Sequence, residues 1–417
     1  MKLTTKILIG LALGVAAGLA AQAFGGPTRT VVLALEPLGT GFIRLISMVV
    51  VPLVVASLIV AVSSLGDIRA VGRIGAKSLV YFLVTTVIAA LIGLGLGLVV
   101  QPGSTVDSGV RDTIAAEYAT QGGLSAERAE SVSLMERLVS IVPRNPIAAA
   151  AEMDLLALIF FTLVFGAALS TVAPDRRKPV VDFFEGVDEA AAAIINWVMK
   201  LAPYAVFVLI GAALARFGVE LLQALLIYAV LVMVGELFHA FVVLMGILKL
   251  AGISVRAFWG HVAAAPILAF STASSNATLP VSLEVAEHNL GVSNQVASFV
   301  LPVAATLNMN GGALYKALTA VFIAQVYGIP LGPPEYLIII VTSTLAALAG
   351  VGVPGSSLVT TLIVLTAIGM GPQAASGIAL VAGLDRFLDM FRTGTNIVGD
   401  LTAVAIVAKS EGESINA

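Results

Sequence analysis

The chain contains no cysteine, which excludes a disulfide framework and any thiolate chemistry. Charge is scarce as well. Asp, Glu, Lys and Arg make up 11% of the 417 residues, against about a quarter in a soluble domain. A net charge of -3 with no long basic run excludes a nucleic-acid surface. The three histidines and the acidic residues nowhere take zinc-ligand spacing, and no Gly-rich loop leads into Lys-Ser or Lys-Thr, so metal-assisted and nucleotide hydrolysis lack a signature. What is abundant is apolar. Hydrophobic residues are 59% of the chain and mean hydropathy is +1.04, in stretches long enough to cross a hydrocarbon core, which takes roughly 20 helical residues.

Apolar segments run near 7–24, 34–65, 78–101, 147–173, 190–215 and 221–250. Lys2 and Lys6, then Arg69, Arg73 and Lys77, then Arg176, Arg177 and Lys178 belong on the cytoplasmic side by the positive-inside rule. Between the second and third clusters, Asp107, Asp112, Glu117, Glu127, Glu130 and Glu136 suit the outside. Lys2, Lys6 and the apolar run Ile7–Ala20 have the outline of a signal peptide, but the next span begins so soon after Gly25 that the segment reads as a retained first helix.

After Lys249 the spans are interrupted by small and polar residues. Three breaks stand out, at 271–278, 308–312 and 350–357. Irregular backbone at membrane depth must be buried in protein or line a wet cavity. Paired interruptions of this kind point to a transporter's binding site. Read as plain loops, they would leave arms such as Tyr336–Ala349 and Leu358–Ile368 too short to span singly. Re-entrant hairpins are therefore expected.

The most informative segment lies in the final apolar run. Asp385, Asp389, Arg392, Asn396 and Asp400 are spaced by four, three, four and four, which places them within about 80° of one helix face. Ionisable groups at membrane depth are costly and default to function. Arg392 offers a planar fork that matches a carboxylate. Asp389 suits an ammonium group, and Asn396 with Asp400 are hard oxygen ligands for a small cation. The set matches a zwitterion with an extra carboxylate, bound beside a metal ion; the plain alternative is a salt-bridge ladder between packed helices. Glu236 and His239, one turn apart, read either as a proton relay or as a local hydrogen bond.

These residues resemble the glutamate transporter family, the dicarboxylate/amino acid:cation symporters, and are closest in type to its prokaryotic and archaeal aspartate transporters. Ser274 to Pro280 looks like the family's first hairpin tip, Asn308 to Tyr315 like its Asn-Met-Asp-Gly-Thr signature, Gly352 to Gly355 like its second tip, and Asp385 to Asp400 like its last helix. The resemblance implies eight transmembrane helices plus two re-entrant helical hairpins, in a homotrimer in the inner membrane that moves substrate by an elevator. Scaffold helices would fall in 1–77 and 147–218. The transport part would take 78–146, 219–251, the hairpins 252–292 and 331–371, the interrupted helix 293–330 and the last helix 372–417. By position, Ser275, Met309, Val353, Ser357, Asp389, Arg392, Thr393 and Asn396 would bind substrate. Asn308, Asn396 and Asp400 would hold one sodium ion, and Thr306, Ala347, Leu348 and Gly350 another. No other cofactor is implied.

Departures from the family matter as much. The signature aspartate of a third sodium site is Asn310 here, the signature threonine is Gly312, and the tyrosine of the stretch beside Thr85 and Thr86 is Phe82. Losing the formal anion removes most of that site's pull on a cation, so sodium coupling is expected to be reduced or absent. Ala273 stands where some archaeal members carry an arginine. Lys316, at a position usually Gln or Glu, would supply part of the missing positive charge if it reached Asn310; otherwise it snorkels or pairs with a carboxylate. The expected function is secondary transport of L-aspartate or L-glutamate, not enzymatic chemistry. A proton-coupled C4-dicarboxylate carrier is the nearest alternative, and a passive anion channel is an alternative of another class.

Overall fold

The computed structural model describes residues 3–64, 68–106, 142–152, 154–348 and 356–417. These are helical, with no strand among them. The acidic stretch from Asp107 to Glu136 and the second hairpin tip, with Gly350 and Val353, lie outside the described residues.

Helix α1 (Leu3–Phe24) is followed by α2 (Gly26–Ala34), α3 (Glu36–Ser47) and α4 (Val50–Ser64), so the apolar run 34–65 is taken up by α3 and α4, parted at Met48 and Val49. α5 (Ile68–Val100) is a long rod. After it come α6 (Pro146–Ala151), α7 (Leu155–Ser170), α8 (Pro174–Met199) and α9 (Ala202–Phe238), the last kinked at Gly218, where φ is +73°. α1 lies along α9. Gly10 and Gly14 face the α9 backbone so closely that a Cβ on either would fall within 2.6 Å of a carbonyl oxygen, the small-residue device by which membrane helices approach.

α9 runs through a π-turn (His239–Leu244) into α10 (Met245–Leu250). A helical hairpin follows, α11 (Val255–Val262) and α12 (Ala264–Thr272) descending and α13 (Ser275–Glu284) returning. Its tip is two residues long. Ala273 takes the left-handed conformation (φ 50°, ψ 43°), and the Ser274 hydroxyl caps α13 by accepting from the Ala277 N–H at 3.2 Å. α14 (Asn294–Leu307) and α15 (Asn310–Val326) form one interrupted rod, broken only at Asn308 and Met309; Gly311 and Gly312 are helical. α16 (Pro333–Leu348) and α17 (Ser356–Ala367) pack together as a second hairpin. α18 (Gly371–Ser410) closes the chain with 40 residues, about 60 Å at 1.5 Å per residue.

α15 is the centre of the molecule. Sixteen of its 17 residues are buried, as befits a helix enclosed on all sides. α5, α9, α16, α17 and α18 surround it. Among the described residues, four helical stretches are long and apolar enough to cross a membrane, or five if α8 with the start of α9, bent by 60°, counts as one. α18 is not among them, because its charged face dilutes its hydropathy. Large apolar side chains such as Leu250, Val99 and Phe24 are more than three-quarters exposed, the surface expected of a chain whose solvent is lipid.

Candidate functional site

Three interruptions meet α18. The tip of the first hairpin, the break at Asn308–Met309 and the start of α17 converge on its middle. There a cavity of about 20 Å³ is lined by Ser275, Met309, Ser357, Asp389, Arg392, Thr393 and Asn396, together with Ala273, Gly312 and Ser356. Every expected substrate residue within the described chain borders it. The volume admits about one water molecule, so an amino acid enters only if a wall moves. The two-residue tip of the first hairpin, Ala273 and Ser274, is the shortest part of that wall among the described residues.

Arg392 is 1% exposed and already engaged. Its Nη1 donates to Asp385 Oδ1 at 2.8 Å and its Nη2 stands 2.9 Å from Asp389 Oδ1. The Tyr315 ring lies 3.9 Å from the guanidinium carbon, a cation–π contact that fixes the plane. Its Nε makes no hydrogen bond among the described residues. Asp389 Oδ2 also accepts no hydrogen bond among the described residues, with Arg386 Nη1 at 3.7 Å. The charged face is therefore both a ladder along one helix and a pocket wall, which the spacing alone could not distinguish.

The cation ligands expected at the break are adjacent. Asn308 Nδ2 donates to Asp400 Oδ1 at 2.9 Å, and Asn396 Oδ1 accepts from the Gly311 N–H at 2.9 Å. Asp400 is 2% exposed, and Asn308 is its one side-chain hydrogen-bond partner among the described residues. A buried carboxylate balanced by one neutral amide is under-compensated, so these oxygens fit a small cation. For the second site, Thr306 and the α16 end bearing Ala347 and Leu348 lie on helices in contact; Gly350 is outside the described chain.

The altered third site is assembled as well, but from neutral groups. Asn310 Oδ1 accepts from Thr86 Oγ1 at 2.9 Å and from Thr85 Oγ1 at 3.4 Å, while its Nδ2 donates to nothing. Phe82 is buried nearby. Tyr81 sends its hydroxyl to Thr402 at 2.5 Å, so it does not replace the missing phenol.

Lys316 departs from both expectations. It is 1% exposed, so it does not snorkel, and it joins no ion pair among the described residues. Its ammonium donates to the Gly312 carbonyl at 3.1 Å, away from Asn310. Glu236 and His239 are fully buried, and neither side chain makes a hydrogen bond, so the local pair expected between them is absent. The π-turn that starts at His239 was not legible, since such bulges leave no sequence period. Gly311 was also unmarked. A Cβ there would lie 2.7 Å from the Arg392 carbonyl oxygen and 2.7 Å from Glu236 Oε2.

A family model described as the sodium:dicarboxylate symporter family matches residues 3–410. The chain is 38% identical over 414 residues to a proton/sodium-glutamate symport protein of Geobacillus stearothermophilus, covering 99% of this chain and 95% of that protein. It is 38% identical over 378 residues to the proton/glutamate-aspartate symporter of Escherichia coli (strain K12), covering 90% and 85%. A C4-dicarboxylate transport protein of Bacillus subtilis (strain 168) is 30% identical over 412 residues, covering 99% and 94%.

Proposed function

The chain belongs to the sodium:dicarboxylate symporter family, and from that premise we propose that it takes up L-aspartate or L-glutamate by cation-coupled symport in which sodium has a reduced part. That it is a multi-pass membrane symporter of dicarboxylates or acidic amino acids, and not an enzyme, follows from the family. The observation that carries the finer reading is Asp389. It borders the same cavity as Arg392 and keeps one oxygen free of hydrogen bonds. A substrate with an amino group and an extra carboxylate uses both residues; a plain dicarboxylate leaves a buried aspartate facing a carboxylate, which is costly.

The substrate carboxylate would take the guanidinium edge, and its ammonium the free Asp389 oxygen. Thr393 and Asn396 would hold the amino and main carboxyl groups, with Ser275 and the second tip closing above. Sodium, when bound at Asn308, Asn396 and Asp400, supplies the charge that Asp400 lacks. Asn396 belongs to both cavity and break, so ordering it for the cation orders it for the substrate, which is the differential contact coupling requires. At the third site Asn310 presents an N–H where a cation would need an anion, and this motivates the reduced role of sodium.

The clasp between Arg73, Lys77 and Glu411 puts the end of α18 beside a basic cluster assigned to the cytoplasm. Both termini then lie on one side, which favours an even number of crossings. That parity is compatible with eight spans, and we extend the reading to two re-entrant hairpins, an elevator transport part and a homotrimer in a bacterial inner membrane.

The test is labelled L-aspartate uptake into liposomes holding the purified protein, at equal pH, with and without inward sodium. Uptake that is saturable and changes less than about threefold with sodium supports the reading. Succinate carried in preference to aspartate would move the assignment to the C4-dicarboxylate class, and non-saturating flux would mark a channel.

A further inference from the structure

One buried cation has no part in the mechanism above. Lys316 sits at the core of α15, and its single hydrogen bond among the described residues goes to the Gly312 carbonyl one turn back. An ammonium has three donors. Two are therefore unspent on a desolvated charge that no carboxylate pairs. A buried charge in that condition is costly unless something anionic comes to it.

The place it occupies is informative. A Cβ built on Gly312 would lie 3.0 Å from the ammonium nitrogen. The charge thus fills the slot that a side chain at 312 would take. Gly312 itself lines the cavity beside Asp389 and Arg392, and, having no side chain, it puts nothing of its own between ammonium and cavity. Lys316 does not border the cavity in this closed state; it stands directly behind the glycine.

Charge decides what such a position is for. Asp385 and Asp389 are balanced by Arg392 and by Arg386, whose Nη1 stands 3.7 Å from Asp389, so this group alone offers a net-negative substrate no surplus positive charge. Lys316, buried behind Gly312, adds that charge. Arg392 also retains a nitrogen, Nε, without a hydrogen bond. A side-chain carboxylate lodged between Arg392 and Gly312 would meet cationic donors on two sides.

We propose that Lys316 is a substrate ligand: its ammonium, reaching through the slot left by Gly312, binds the side-chain carboxylate of an acidic amino acid together with Arg392. This rests on the acidic-amino-acid reading of the cavity. Gly312 and Lys316 form one device, because a side chain at 312 would push the ammonium off its place.

The experiment is equilibrium binding of L-aspartate and L-asparagine to the purified full-length protein in nanodiscs, by titration calorimetry. Lys316→Met keeps the length and removes the charge. Its aspartate affinity falls at least tenfold, and the preference for aspartate over asparagine shrinks with it. Gly312→Ala weakens aspartate binding while Lys316 is present and adds nothing once Lys316 is Met. Lys316→Met binding aspartate within twofold of wild type overturns the proposal, as do effects of the two changes that simply multiply. If Lys316→Met does not fold, Gly312→Ala carries the comparison alone, since the added methyl meets mainly the mobile end of Lys316, and undiminished affinity overturns it. Wild-type protein that binds succinate and not aspartate sinks the amino-acid reading by itself; the same variants are then read with succinate.

Discussion

Gly311→Ala puts one methyl group between α15 and α18 where Gly311 faces Arg392. The new Cβ would stand 2.7 Å from the Arg392 carbonyl oxygen, 2.8 Å from the Arg392 Cα and 2.7 Å from Glu236 Oε2. Two of these three neighbours are backbone, so a rotamer change does not relieve them. Comfortable contact between carbon atoms is about 3.5–4.0 Å. The two helices must therefore part by roughly 1 Å, and Arg392 moves with its backbone. Overpacking of this kind costs about 1–3 kcal/mol. The functional cost is larger, because a misplacement of about 1 Å at a binding constellation is worth on the order of a hundredfold. The Gly311 N–H to Asn396 bond, which ties the break to the substrate face, stretches as well. Thermal unfolding in detergent and aspartate uptake in liposomes check both parts. The expectation is a melting point lower by a few degrees and uptake reduced about a hundredfold. Uptake within twofold of wild type would refute the claim that this contact sets the geometry of Arg392.

Asn310→Asp combined with Phe82→Tyr restores an anion and a phenol beside Thr85 and Thr86, and sodium is then expected to raise aspartate affinity at least tenfold over its effect on wild type, read by binding with sodium or choline. Asp385→Asn leaves an acceptor for Arg392 but removes one of its two counter-charges. Breaking a buried pair costs about 3–5 kcal/mol, so the variant melts well below wild type, and an unchanged melting point would show that the pair is not structural. Glu411 accepts hydrogen bonds from Arg73 and Lys77, and the Arg73 bond above all holds its carboxyl below the usual range. A lowered folded value means that the clasp's contribution is full above the ordinary glutamate range and is lost as pH falls through the folded value. Glu411→Gln and wild type should therefore differ in melting point at neutral pH and converge in acid; a constant gap would disprove the linkage.

Much of this site was legible because lipid makes polar residues conspicuous. Five polar groups on one face of an apolar run stand out at a glance, and Asn308-Met309 reads as a break because Asn and the following glycines are poor company for a buried helix. The altered third site was equally open, since Asn310 and Phe82 change chemistry outright. What escaped was of two kinds. The parting of α3 from α4 at Met48 and Val49 and the π-turn at His239 are local backbone events that hydropathy does not record. The direction of long side chains escaped too. Helix period gives the face on which Lys316 or Asp385 lies but not its rotamer. Asp385 therefore holds Arg392, a role the spacing did not assign, and Lys316 turns to Gly312 instead of Asn310. The stripe of Gly10, Gly14 and Gly18 was readable at four-residue spacing and went unused.

The doubly engaged arginine has a consequence for how the carrier discriminates. With Asp385 and Asp389 on its nitrogens and Tyr315 against its face, Arg392 keeps its place when no substrate is bound. The ordering entropy is then spent in folding and not in binding. Asp389 is the partner that faces the cavity, and its other oxygen accepts no hydrogen bond among the described residues. A substrate carboxylate that displaces Asp389 from Arg392 leaves that aspartate without a cation, unless the same substrate brings an ammonium. Aspartate does so and succinate does not. Under the proposed function, selectivity for an amino acid would come from the penalty for stranding Asp389 as much as from the contact it makes, the asymmetry that governs buried pairs generally.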